Sequence, residues 1–398
     1  MTKRIFTYLM IVLGACLGAS AQTDSTIRVS LVTMYPGSEV YELYGHTELR
    51  VIDEHGDYFF NYGLFDFNAP GFVYRFVKGE TDYLCGAIPA SFALRGYEGR
   101  RVVEQELNLT PAQAQQVRDL LFENAKPENA TYRYKFVTDN CATRPRDIIE
   151  AALGDAMTYH PADSVNVTYR DMMHRYNGNY SWNRLGIDLA LGCNLDTVIT
   201  YRQTMFAPLV LMDAVSRATV KTANGGEAPL VKSTLTLIDG PEEGLVEPPT
   251  PWWASPLMMA LVLLALTVGV SVRDYLRIKV SRWFDTLLFV PYALFGCVMF
   301  FLVFVSIHEF TSPNYHALWL HPLYVLLAVL PWIAKAEKTL KALHAANIVW
   351  LAVVVLLLAT GILSQEIPLI FYLLMVVPMA RSISYLLINR LCSRTTDK

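Results

Sequence analysis

The sequence predicts two structural classes in one chain: an α+β domain with a mostly antiparallel sheet, then an all-α membrane domain of five helices. Three observations carry this. Residues 22–235 mix charged and apolar residues in short alternating runs, with no long apolar stretch. Residues 252–391 are long apolar runs separated by short loops. Between the two, residues 236–251 form a linker containing the acidic, proline-rich stretch DGPEEGLVEPPTP. Composition agrees, since 53% hydrophobic against 17% charged residues leans towards a membrane protein. A net charge of −3 supplies no basic field for nucleic acid, which excludes that class of partner.

The elements follow in order. Residues 1–21 read as an export signal: Lys3 and Arg4 lead, Ile5 to Leu17 is apolar, and Ala19-Ser20-Ala21 is a small-residue cleavage site. An alternative places Cys16 first in the mature chain, with Leu13-Gly14-Ala15-Cys16 as a lipid-attachment box. TIRVSLVTM alternates as a strand and stops at Pro36-Gly37. HTELRVIDEHGDYFFNYGLF reads as a hairpin turning at Asp53 to Asp57, and RVVEQELNLT as a further strand. Thr110 with Pro111 behind it signals a helix start, running to about Asn124. TYRYKFV (131–137) predicts a strand, and Ile148, Ile149, Ala152 and Leu153 mark the apolar face of a helix ending at Gly154. Residues 155–217 look helical or irregular, and Asn224-Gly225-Gly226 predicts a closing hairpin.

The apolar runs at about 252–272, 286–307, 317–334, 343–363 and 367–388 each approach the ~20 residues that cross a bilayer. Arg381 interrupts the last. Basic residues gather in alternate loops: Arg273, Arg277, Lys279 and Arg282, then Lys335, Lys338 and Lys341, then Arg390, Arg394 and Lys398. The loops from His308 to His316 and from Ser364 to Glu366 contain no Lys or Arg. The positive-inside rule therefore puts the basic loops and the 392–398 tail in the cytoplasm and the soluble domain outside, in an inner-membrane protein.

The chemistry centres on TDNCATRPRDII. The soluble domain has three cysteines, and outside the cytoplasm an odd count leaves one to explain. Cys85 and Cys193 lie in apolar or small-residue contexts and read as two buried hydrophobes or one disulfide. Cys141 stands in a polar setting before a helix, with arginines near, where a thiolate is favoured. Pro145 disfavours helical geometry just before it, so the helix is expected to begin at Thr143 or Arg144, with Cys141 in the loop ahead. A thiol nucleophile needs a base. His55, His160 and His174 read as turn, loop and surface-helix residues, whereas His46 opens a strand. Asn61, on the returning hairpin strand, is placed to orient the His46 ring, with Asp66 as a fallback. A zinc reading of Cys141, His46 and a carboxylate lacks the close-spaced ligand pair such sites show.

YELYGHTELRV, FFNYGLFDF, YRYKFVTDNCATRPRDII and the five-span tail together resemble the Lnb N-terminal periplasmic domain family of Gram-negative envelope proteins. That domain is similar to the permuted papain-like group, which includes lecithin:retinol acyltransferase and NlpC-type hydrolases, with the histidine strand before the cysteine helix. The resemblance implies a lipoprotein N-acyltransferase, moving an acyl chain from a membrane phospholipid to the α-amine of a diacylglyceryl-cysteine lipoprotein. Carried over by position, Cys141 is the nucleophile, His46 the base and Asn61 the third polar group. No cofactor enters this chemistry. Backbone N–H groups at Asn140 and Ala142 are expected to hold the oxyanion, and Arg144 to contact substrate. An envelope cysteine peptidase or amidase, and a non-enzymatic anchored binding or sensor protein, are the competing readings. In the uncharged loop HEFTSPNYHALWLHP, His308, Glu309 and Asn314 are expected to pack beneath the site, because polar groups at that depth are costly unless used.

Overall fold

The computed structural model describes residues 27–66, 68–222 and 224–396; the expected signal segment and Cys16 lie outside them. Seven strands form one antiparallel sheet in the order β10-β5-β1-β2-β3-β4-β6. They are β1 (Arg28–Met34), β2 (His46–Asp53), β3 (Gly56–Leu64), β4 (Asp82–Pro89), β5 (Val102–Leu107), β6 (Thr131–Arg133) and β10 (Val231–Ile238). The hairpin register pairs Glu48 with Asn61 and Leu49 with Phe60. β1 lies in the middle of the sheet and is buried on both faces, which is why alternation is weak in RVSLVTM. A second, small sheet joins β7 (Met157–Thr158), β8 (Thr219–Lys221) and β9 (Glu227–Pro229), the last two around the expected glycine turn.

Between β3 and β4 a short helix, α1 (Phe72–Lys78), leaves the sheet. α2 (Pro111–Asn124) starts in a capping box in which Thr110 and Gln113 satisfy each other's backbone N–H. α3 (Thr143–Leu153) packs with α2 and α6 (Pro208–Arg217) on one sheet face, where Leu31, Leu49, Phe60, Val117, Ile149 and Leu211 share a core. α4 (Tyr169–Tyr176) and α5 (Ser181–Ala190) are held together by Arg170, fully buried, donating to Asp188 at 3.0 Å and also to Asp196. His174 joins this network, 2.6 Å from Asp188, and is not the surface group expected from sequence. The strand expected over 131–137 stops at Arg133, because Lys135 and Asp139 bridge to each other and turn the chain towards α3.

Among the described residues four helices are long and apolar enough to cross a membrane: α7 (Pro256–Leu276), α8 (Arg282–Phe304), α9 (Glu337–Ala359) and α10 (Leu369–Thr396). The 317–334 run is broken into short turns, His316–Trp319, Tyr324–Val329 and Leu330–Trp332, by Pro322 and Pro331. It nevertheless joins the two ends of the bundle. His316 begins beside Asn314 at the end that touches the soluble domain, and the Trp332 indole donates to Thr286 near the start of α8. The helical count thus differs from five while the polypeptide still passes along the bundle five times. Arg381, in the middle of α10, is fully buried and donates to Asp274 at 2.8 Å and to Asp285, so the charge that interrupts the last run is paired inside the bundle. α10 continues through residues 392–396, part of the expected tail.

The soluble domain is bonded to the loops at one end of the bundle. The Gly192 N–H donates to the Phe310 carbonyl at 2.6 Å, Cys193 to Pro313 at 3.0 Å, and Glu366 to Asp196 at 2.9 Å. Both bundle loops that make these contacts are the ones without Lys or Arg.

Candidate active site

β2 begins at His46 and α3 follows Cys141, and the fold brings the start of the strand against the cysteine. The sulfur of Cys141 is faced by the backbone N–H of Thr47, by its own N–H and by the Tyr134 hydroxyl. Thr47 is the residue after His46, so the strand start carries both the imidazole and a donor to the sulfur. The ring itself bonds to Asn61, with Nε2 3.2 Å from Oδ1. Among the described contacts, ring and sulfur are therefore joined through the Thr47 backbone rather than by a direct hydrogen bond, a looseness common in unliganded sites.

The Asn61 network assigns the tautomer. Asn61 Nδ2 donates to Glu48 Oε1 at 2.7 Å, which turns Oδ1 towards the ring as an acceptor. His46 Nε2 must then carry the hydrogen, which leaves the lone pair on Nδ1. Glu48 is almost fully buried; it lies 3.6 Å from the imidazole and accepts from the Tyr97 hydroxyl at 3.4 Å. Its Oε2 has no partner among the described residues. Gly63 leaves room for this arrangement, because a Cβ there would sit 2.9 Å from His46 Cε1.

Burial sets the protonation states. It raises the Cys141 thiol to about 11, lowers the His46 imidazole to about 4, and raises the Glu48 carboxyl to about 8. For the imidazole, burial is the largest cause; the Asn61 hydrogen bond opposes it and Arg100 adds to it. Near neutral pH the resting trio is thiol, imidazole and carboxylic acid, all uncharged.

The remaining expected residues fall as follows. The Asn140 N–H donates to Thr143 Oγ1 at 2.7 Å and the Ala142 N–H to Asn140 Oδ1 at 2.8 Å, so neither is free for an oxyanion. This corrects the expectation: the Asn140 side chain caps α3 internally, and the donors facing the sulfur are Thr47 and Cys141 N–H. Pro145 fits because it lies in the first helical turn, where N–H groups have no intrahelical partner. Arg144 is turned away, bonded to Asp139 at 2.7 Å and stacked over Tyr132. Glu309 reaches the cysteine loop through Thr138, with Lys135 at 3.6 Å. His308 instead bonds the Phe76 carbonyl at 2.5 Å, and Asn314 the Leu189 carbonyl at 2.9 Å, so neither packs beneath Cys141.

Cys85 and Cys193 are both free, which removes the disulfide alternative. Cys85 faces the sheet core beside Tyr62, whereas Cys193 is half-buried against the Pro313 loop. Among the described residues no group of three or more metal-ligating side chains converges. Glu48, Thr47 and Tyr134 were missed from sequence. Glu48 had a usable signal, its spacing of two from His46 along one strand, which puts both on one face.

Two family profiles match the chain. The Lnb N-terminal periplasmic domain covers residues 19–175, and the Lnb transmembrane domain covers residues 249–391. No curated protein and no solved structure matches it. The matches and the helices together make this a membrane protein with a periplasmic N-terminal domain.

Proposed function

The chain belongs to the Lnb-type family, and from that premise we propose that it is a cysteine-dependent N-acyltransferase of lipoprotein maturation. The observation that carries the reading is the Glu48–Asn61–His46 chain, which holds the imidazole in the Nε2–H form beside Cys141. In the first half-reaction His46 Nδ1 takes the thiol proton as the sulfur attacks a phospholipid ester carbonyl. The Thr47 and Cys141 N–H groups receive the oxyanion, each such donor being worth ~3 kcal/mol. The tetrahedral adduct expels the lysophospholipid alkoxide, which takes the proton back from the imidazolium and leaves a thioester. In the second, the lipoprotein α-amine attacks the thioester while Nδ1 accepts its proton. The leaving thiolate is reprotonated, and an amide is released.

A domain bonded to the ends of membrane helices suits substrates confined to a bilayer, whereas a soluble cell-wall peptide requires no such placement. The basic loops lie at the bundle end away from the domain, which supports an inner-membrane setting with a cytoplasmic C-terminus. The test is intact-mass analysis of the full chain after incubation with phospholipid, then with a diacylglyceryl-cysteine peptide. A hydroxylamine-sensitive acyl adduct, absent in Cys141→Ala and transferred to the peptide amine, is expected. No adduct in the wild type overturns the reading, and an adduct that only water discharges makes the protein a hydrolase.

A further inference from the structure

α1 buries none of its residues in the protein. Val73, Tyr74 and Phe76 are 74%, 59% and 45% exposed on a helix of seven residues. Its place fixes what covers them. The Ile307 N–H donates to the Lys78 carbonyl at 2.8 Å, the Ser306 hydroxyl to the Val77 carbonyl at 3.0 Å, and Tyr74 packs edge-on to Phe301. Phe301 and Ser306 flank the end of α8, so α1 sits at the depth where a membrane-spanning helix emerges. Trp252 and Trp253, 73% and 66% exposed, mark the same level at the start of α7, as interfacial aromatics do. Apolar side chains held at that depth face lipid.

From α1 an unbroken file of rings runs to the nucleophile. Phe76 stacks on Phe72 at 5.9 Å between centroids, Phe72 on Phe65 at 6.0 Å, Phe65 on Tyr83 at 4.6 Å, and Tyr83 on Tyr134 at 4.5 Å. The Tyr134 hydroxyl then reaches the Cys141 sulfur. The rings run nearly parallel, at 15° to 30°, and so form a continuous aromatic file whose hydroxyls are confined to its last two members, Tyr83 and Tyr134, at the reacting end. A hydrocarbon chain matches such a file along its length, and an ester at its head would meet the Tyr134 hydroxyl and the sulfur together.

We propose that α1 lies in the periplasmic leaflet and that the rings from Phe76 to Tyr134 are the track along which a donor phospholipid's acyl chain reaches Cys141. This rests on the acyltransferase reading and names the route of its first substrate. The occupant is the donor of the surrounding leaflet rather than the lipid anchor of the acceptor, because the track ends on the group that is acylated first.

The full chain is reconstituted in long-chain phosphatidylethanolamine vesicles, and thioester formation is timed by intact mass for wild type, Phe65→Ala and Phe72→Ala. Acylation of Cys141 by the soluble short ester p-nitrophenyl acetate is timed in parallel. The variants are expected to be acylated at least tenfold more slowly from vesicles, yet within twofold of wild type by the short ester. Equal rates from vesicles overturn the track. So does an equal loss with both donors, which makes the rings a scaffold for Cys141, and so does normal thioester formation with slow aminolysis, which gives the track to the acceptor. A wild type acylated by neither donor sinks the acyltransferase reading instead. The route is also tested without catalysis, in Cys141→Ala vesicles holding a phospholipid with a diazirine on its acyl chain. Crosslinks are expected on the peptides spanning 65–83, and their absence while α7 and α8 are labelled overturns the proposal.

Discussion

Gly63→Ala perturbs the proposed base without touching a reacting atom. The added Cβ would lie 2.9 Å from His46 Cε1 and 3.3 Å from Asn61 Oδ1. Non-bonded carbons rest at about 3.5–4.0 Å, so the ring must withdraw by roughly 0.6 Å or more. The His46–Asn61 contact is already 3.2 Å, and a further 0.6 Å takes it beyond hydrogen-bonding range. Two costs follow. Overpacking a tight site removes about 1–3 kcal/mol of stability. An imidazole released from Asn61 loses its fixed tautomer and its aim, and misplacement on this scale lowers rates by about tenfold to a hundredfold. That corresponds to about 1.4–2.7 kcal/mol on the barrier. The assay is the rate of acyl-Cys141 formation by intact mass, beside thermal unfolding of the same preparation. Gly86→Ala on the neighbouring strand is the control: its Cβ meets only Leu64, with Cδ1 the near atom, a side-chain end that can swing aside. A rate within twofold of wild type for Gly63→Ala would refute the inference that this ring position is the working one.

Three further outcomes are expected. Glu48 has its carboxyl raised by burial to about 8, so the folded state keeps it protonated while the unfolded chain ionises it above its ordinary value of 4.5. Its contribution to stability is full below that ordinary value and is lost as pH rises through about 8, by up to roughly 5 kcal/mol. Glu48→Gln keeps an acceptor for Asn61 and should raise the melting temperature at pH 8 but not at pH 4; an unchanged pH profile would show the carboxyl to be ionised in the fold. Arg381→Met leaves Asp274 and Asp285 without their buried cation and should cost about 3–5 kcal/mol of stability in detergent. Restoration by adding Asp274→Asn and Asp285→Asn is expected, and a stable single variant would contradict the pairing. Finally, native iodoacetamide should label half-buried Cys193 before Cys85 and Cys141, both buried and both raised to about 11, with no disulfide in the non-reduced mass. Rapid labelling of Cys85 would show that β4 opens.

Residue type and spacing along the chain were enough for much of this protein. Short alternating runs, the Thr110-Pro111 helix start and the apolar runs report local periodicity and cost, and these need no knowledge of neighbours distant in sequence. The His46–Asn61 pairing was legible for the same reason, since one hairpin with a fixed turn sets its own register. Partners brought by long loops were not. Thr47 and Tyr134 meet Cys141 only once β2, β6 and α3 have assembled, and no periodic signal encodes that meeting. The same assembly decided which N–H groups stay free, because Asn140 folds its own side chain back to cap α3. It also decided protonation: Cys141, read as a polar-loop thiol favouring its thiolate, is 7% exposed and held neutral by desolvation. A polar sequence neighbourhood says nothing of how much protein closes over a side chain, and burial is a property of packing alone.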